Sequence, residues 1–151
     1  MTSRGSAIGT AQQAVLLANA ACEMLAGMAF LALPGHAIPQ LTINGRVTAR
    51  VLGAALLALA VMAQAAWGVA GGLGEFGAEA RQVALAMVRC VAFAHALWHA
   101  AAFVVLGYDA FVLRRGRRAA EPSPFAPVAT LHAVLFGASA FLIATLPDPL
   151  A

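Results

Sequence analysis

Apolar positions in this chain run in long blocks rather than in helical stripes or strand-like alternation. There are four such blocks, at about residues 11–33, 47–70, 82–106 and 126–146, each near or above the ~20 residues a helix needs to cross hydrocarbon. The fold class this predicts is all-α: an antiparallel four-helix bundle integral to a membrane, formed as a single domain over residues 1–151.

The breaks between blocks support the division. Pro34-Gly35 stops the first span, and "PGHAIPQLTING", with two prolines and Asn44-Gly45, reads as a loop with turns. The second span closes in "GVAGGLGEFG", a glycine-rich segment of low helix propensity that is expected to form an external turn. The third is expected to continue as a helix through "DAFVLRR", until Pro122, Pro124 and Pro127 break the chain before the fourth. Small residues recur at every fourth position: Ala14, Ala18, Cys22 and Ala26 in span one, Ala92, Ala96 and Ala100 in span three, Ala129, Ala133 and Gly137 in span four. Hydrophobic drive between helices is weak in lipid, so such stripes let backbones approach and gain dispersion contacts.

Composition sharpens the picture. Of the 151 residues, 62% are hydrophobic and 10% charged, against roughly a quarter charged in soluble domains. The connections are too short to fold alone, which leaves no room for a nucleotide-binding fold or a sizeable catalytic loop. No Ser-His-Asp constellation, P-loop or CxxC is present. An A-x-A pattern, Ala18-Asn19-Ala20, precedes Cys22, but Gln12 and Gln13 interrupt the region before it and the apolar run continues to Leu33, as in a retained span rather than a cleaved leader. Cys22 and Cys90 lie deep in apolar blocks and read as small packing residues.

The net charge of +3 comes with nine basic residues, all arginine and placed mainly beside the spans, so they report topology rather than nucleic acid. Arg46 and Arg50 precede the second span, and Arg114, Arg115, Arg117 and Arg118 follow the third; with four spans these two loops, 34–50 and 107–125, share a side. Only Arg4 and Arg81 lie outside the apolar runs on the other. The positive-inside rule then places both arginine-rich loops in the cytoplasm and both termini outside, in an inner (plasma) membrane. Trp67 and Tyr108 sit near span ends, as interfacial aromatics do.

Ionisable groups in hydrocarbon cost roughly 2.5–3.5 kcal/mol at a span centre, so each needs a reason. Here they are Glu23, Arg89, His95, His99 and His132. Counting from the span ends at about 1.5 Å per residue sorts the intramembrane polar groups into three levels. Asn19, Gln64, Arg89 and Ser139 fall in the outer third, Glu23 and His95 at mid-depth, His99 and His132 toward the cytoplasm. Glu23 is expected to pair with His95 or with a downward-reaching Arg89. Gln12, Asn19 and Glu23 share one face of the first helix. His95 and His99, four apart in "FAHALWHAAAF", project into one seam.

At "MLAGMAFLALPGHAIPQ" followed by "NGRVTARVLGAALLALAVMAQAAW" the chain resembles small bacterial four-span proteins of the DoxX-like superfamily and related uncharacterized families. The shared features are a glycine in span one, a proline at its end, arginine before a "GAALLALA" start to span two, and a proline-containing loop before the last span. The resemblance implies a four-helix membrane bundle and little about activity. His132 stands where such relatives are expected to carry an acidic residue.

Three function classes follow. The first is a non-enzymatic structural or accessory bundle that packs on other membrane subunits or on itself. The second is a redox or metal protein, with a b-type haem held by His99 and His132 or a divalent metal held by His95, His99, His132 and Glu23. His95 and His99 cannot both ligate one haem, since axial ligands approach from opposite faces. The third is a proton-coupled small-molecule transporter using Glu23. Close-packed alanines in spans three and four leave little room for a macrocycle, so the histidines are expected to be neutral and hydrogen-bonded within the bundle, with no cofactor.

Overall fold

The first apolar block forms α1, Thr10–Ala32, opened by Gly9, whose N–H donates to Gln12 Oε1 at 2.6 Å. In this computed structural model, which describes residues 8–37, 42–108 and 125–148, α1 is followed by a one-turn α2, Pro34–Ala37, and by α3, Ile43–Gly72. A 3₁₀ turn, Leu73–Glu75, leads to α4, Ala78–Gly107, and the described chain resumes before α5, Ala126–Thr145. All four long helices have the length and apolarity to cross a membrane. At about 1.5 Å per residue, the 30 residues of α3 and of α4 span about 45 Å, more than the roughly 30 Å of hydrocarbon, so both extend beyond it or tilt.

Neighbouring helices run antiparallel. Gly27 near the end of α1 meets Gly53 near the start of α3, and Gln12 at the start of α1 bonds Thr145 at the end of α5. Arg89 early in α4 reaches Leu146 just after α5, while His99 further on reaches His132. The broadest packing joins α1 to α3 and α4 to α5.

α3 turns a nearly side-chain-free face inward: Ala49, Gly53, Leu56, Ala60, Ala63, Ala66 and Ala70. Against its far half pack Leu16 and Ala20 of α1, Leu85, Val88 and Val91 of α4, and Leu142 and Leu146, forming one apolar cluster. Outward the bundle shows large apolar side chains, among them Leu25, Val51, Val83 and Val134 at 63–71% exposure. A water-soluble surface rarely presents such a belt, whereas a bilayer solvates it.

Several expectations change. Arg46 and Arg50 belong to α3 rather than to a loop 34–50, because the Thr42 hydroxyl caps the helix by accepting from Gly45 N–H at 3.1 Å. The glycine-rich end of the second span stays helical to Gly72, held by the burial of Ala66, Ala70 and Leu73. On α1 the stripe of Ala14, Ala18, Cys22 and Ala26 is not the packing face: Ala14 and Ala18 are exposed, and the buried positions are Leu16, Asn19, Ala20, Glu23 and Gly27. Ala92 and Ala96 of α4 are buried with Ala100 partly so, but on α5 only Ala129 is, and Gly137 faces out. Both cysteines are free; Cys22 is half-buried and Cys90 exposed, so Cys90 is no core-packing residue. The helical continuation expected after Tyr108, with the arginine-rich segment, lies outside the described residues.

Candidate functional site

Between the apolar cluster and the Gly27–Gly53 crossing, three helices place their polar side chains together. α1 contributes Asn19 and Glu23, one turn apart; α4 contributes His95 and His99, also one turn apart; α5 contributes Ser139 and His132. All but His132 are buried, with relative exposures of 0–2%. From α3, the facing wall is the alanine, glycine and leucine face, with the Leu59 backbone beside His95.

Glu23 and His95 form the tightest contact, Oε2 to Nε2 at 2.8 Å. The other ring nitrogen of His95, Nδ1, lies 2.8 Å from the Val91 carbonyl, which can only accept, so Nδ1 carries a proton and donates. One further proton then lies between His95 Nε2 and Glu23 Oε2. It sits on the carboxyl with a neutral imidazole, or on the imidazole with a carboxylate, and the pair is neutral overall in both forms. Residence of that proton on either atom keeps the bond, which is what a transferable proton requires.

A second chain of bonds runs alongside. Asn19 Nδ2 donates to Ser139 Oγ at 3.1 Å, which turns its carbonyl oxygen to accept from His99 Nε2–H at 3.0 Å. His99 Nδ1 then accepts from His132 Nδ1–H at 2.9 Å, with ring centroids 5.1 Å apart. The two chains nearly touch: His99 Nε2 stands 3.8 Å from Glu23 Oε1, and that oxygen is buried without a hydrogen-bond partner. Trp98 packs edge-on against His132, with its own indole N–H buried and unpartnered.

Members of all three expected levels therefore meet in one site. Depth counting anticipates the Glu23–His95 pair and sets Asn19 level with Ser139 and His99 level with His132. It misses the bond from Asn19 to His99, because α1 and α4 side chains lean diagonally across a full turn. Arg89 does not descend to Glu23; its guanidinium donates to the carbonyls of Leu146 at 3.1 Å and Pro147 at 3.4 Å, closing the end of α5. Gln64 is exposed on the outer face of α3 and makes no side-chain hydrogen bond, so it does not join the interior. Gln12 does share the face of Asn19, bonding the Thr145 carbonyl and hydroxyl at 2.9 and 3.0 Å.

The residues do not fit a haem or a metal ion. An iron between the facing nitrogens of His99 and His132 would need each about 2 Å away on opposite sides, a separation of about 4 Å, whereas Nδ1 to Nδ1 is 2.9 Å, a hydrogen-bond contact. Among the described residues no three His, Cys, Asp or Glu side chains are grouped to hold a metal. A groove of about 310 Å³ between α4 and α5 is lined only by apolar side chains, including Phe93, Leu97 and Phe136, and offers no ligand.

No family model, no curated protein and no solved structure matches this chain.

Proposed function

We propose that the chain is a non-enzymatic membrane bundle that transfers protons within the bilayer, with the Glu23–His95 pair as the proton-holding site. The observation that carries this reading is the 2.8 Å contact in which one proton serves two buried bases, beside a Glu23 oxygen left unpartnered. A pair kept only for packing gains from saturating every buried acceptor, and an unsatisfied carboxyl oxygen in hydrocarbon is costly. A site that takes up and releases protons needs such an open position. The orientation that goes with the reading has both termini outside and the arginine-rich segments in the cytoplasm of an inner membrane, supported by the distribution of arginines.

Proteoliposomes with an internal pH dye and an imposed inside-negative potential test it. The wild-type protein should acidify the lumen above the empty-vesicle rate, and Glu23→Gln should not. Equal rates for wild type, variant and empty vesicles would overturn the reading. A reporter at Ala151 that is active only in the cytoplasm would overturn the orientation.

A second reading, an accessory subunit, is favoured by the outward stripe of Ala14 and Ala18 on α1, where small residues meet lipid instead of the bundle. It predicts co-purification with another membrane subunit or self-association. The resemblance to DoxX-like bundles is compatible with either.

A further inference from the structure

We propose that His99 is a two-position donor, held by Asn19 off the open oxygen of Glu23, and that its change of partner connects His132 to the Glu23–His95 pair. This rests on the proton-transfer reading and adds its control element.

The geometry presents one N–H with two acceptors. His99 Nε2 is 3.0 Å from Asn19 Oδ1 and 3.8 Å from Glu23 Oε1, the buried carboxyl oxygen that has no partner. A shift of about 1 Å brings Nε2 within bonding distance of Oε1 and leaves Asn19. Asn19 is a firm holder because its amide is oriented by a second bond, to Ser139. The titratable groups facing His99 are Glu23 from α1, His95 from α4 and His132 from α5; α3 presents none, since its buried face is alanine, glycine and leucine.

In the shifted position the bonds form one line, and the proton balance closes along it. The relay begins with a proton on Nε2 of His132, the half-buried member, whose ring nitrogen Nε2 makes no hydrogen bond within the site. His132 passes its Nδ1 proton to His99 Nδ1, His99 passes its Nε2 proton to Glu23 Oε1, and Glu23 passes its Oε2 proton to His95 Nε2. One positive charge has moved from His132 to His95; Glu23 ends neutral, with its proton on the other oxygen. In the held position the middle step has no bond to follow.

The test uses the full chain in lipid bilayers with ¹³C-labelled glutamate and ¹⁵N-labelled histidine, the Glu23 carboxyl signal being assigned by its loss in Glu23→Gln. In Asn19→Ala the Glu23 carboxyl and His99 Nε2 resonances should shift together, as His99 takes the new partner. Ser139→Ala, which keeps both Asn19 and His99, should shift them in the same direction by less, and covers the case in which Asn19→Ala fails to fold. In proteoliposomes Asn19→Ala should raise Glu23-dependent proton uptake about fivefold, the rate equivalent of one ordinary hydrogen bond. Resonances unchanged in both variants overturn the switch whatever the flux, and so does uptake that depends on Glu23 but is not raised in Asn19→Ala. Shifted resonances without Glu23-dependent flux in any form uphold the switch and overturn the proton-transfer reading instead.

Discussion

Gly27 of α1 and Gly53 of α3 cross so closely that a Cβ on Gly27 would lie 2.9 Å from the Gly53 carbonyl oxygen, and one on Gly53 would lie 2.8 Å from that of Gly27. Both obstacles are backbone, which cannot swing aside. Gly27→Ala is therefore expected to destabilise the bundle by about 1–3 kcal/mol, the usual cost of overpacking. Gly137→Ala on α5 is the control: nothing lies within 4 Å of its Cβ, and alanine's higher helix propensity should leave stability unchanged or raise it by up to ~1 kcal/mol. Denaturant unfolding in detergent, followed by helical circular dichroism, separates the two; equal effects would mean that the crossing is looser than described.

Removing the acceptor from the buried pair should cost more than neutralising it. Glu23→Ala leaves His95 Nε2 without its partner, an expected loss of about 1–3 kcal/mol, while Glu23→Gln keeps a hydrogen-bonding group in place and should cost less. A double-mutant cycle with His95→Phe should show a coupling of about 1 kcal/mol or more. Strict additivity would show that the two side chains do not interact.

Gln64 points to lipid without a hydrogen bond, so Gln64→Leu should leave the fold intact and hold or raise its stability in bilayers. A loss above about 1 kcal/mol would place this side chain inside the bundle instead.

The 2.9 Å contact between His99 and His132 leaves no space for a metal between them. Purified protein should show no Soret band, and added Zn²⁺ should not raise its unfolding midpoint, since a ligand stabilises only a state that binds it. A Soret band, or a Zn²⁺-dependent rise, lost in His132→Ala would contradict this.

How far the sequence reveals these features depends on which coordinate each one needs. Composition alone sets the ends of two spans: the block at 126–146 becomes Ala126–Thr145, and that at 11–33 becomes Thr10–Ala32, while α3 and α4 each begin four residues before the blocks at 47–70 and 82–106. Depth needs only counting, which is why Glu23 meets His95 and Asn19 meets Ser139. Rotation about each helix axis is the missing coordinate. In a bundle bathed in lipid both faces of a helix are apolar, so amphipathicity does not reveal which alanines turn inward. Ala14 and Ala18 thus read as an interface yet face out, Gln64 reads as interior yet faces out, and the buried alanine face of α3 goes unnoticed amid an alanine-rich block. The diagonal bond from Asn19 to His99 needs rotation and side-chain reach together.

The small-residue face of α3 has one more consequence. Away from the Gly27–Gly53 crossing, the alanines from Ala60 to Ala70 are spaced about a turn apart and present much the same surface after a helix slides by one turn, so dispersion contacts along that stretch discriminate poorly between sliding positions. The bonds of Asn19 to Ser139, Glu23 to His95 and His99 to His132 have no such periodicity: each joins two particular atoms, and a slip of 5.4 Å breaks it and strands polar groups in hydrocarbon. The polar side chains thus serve as an index that tells α1, α4 and α5 where along one another to stop, as a buried asparagine sets the register of a coiled coil.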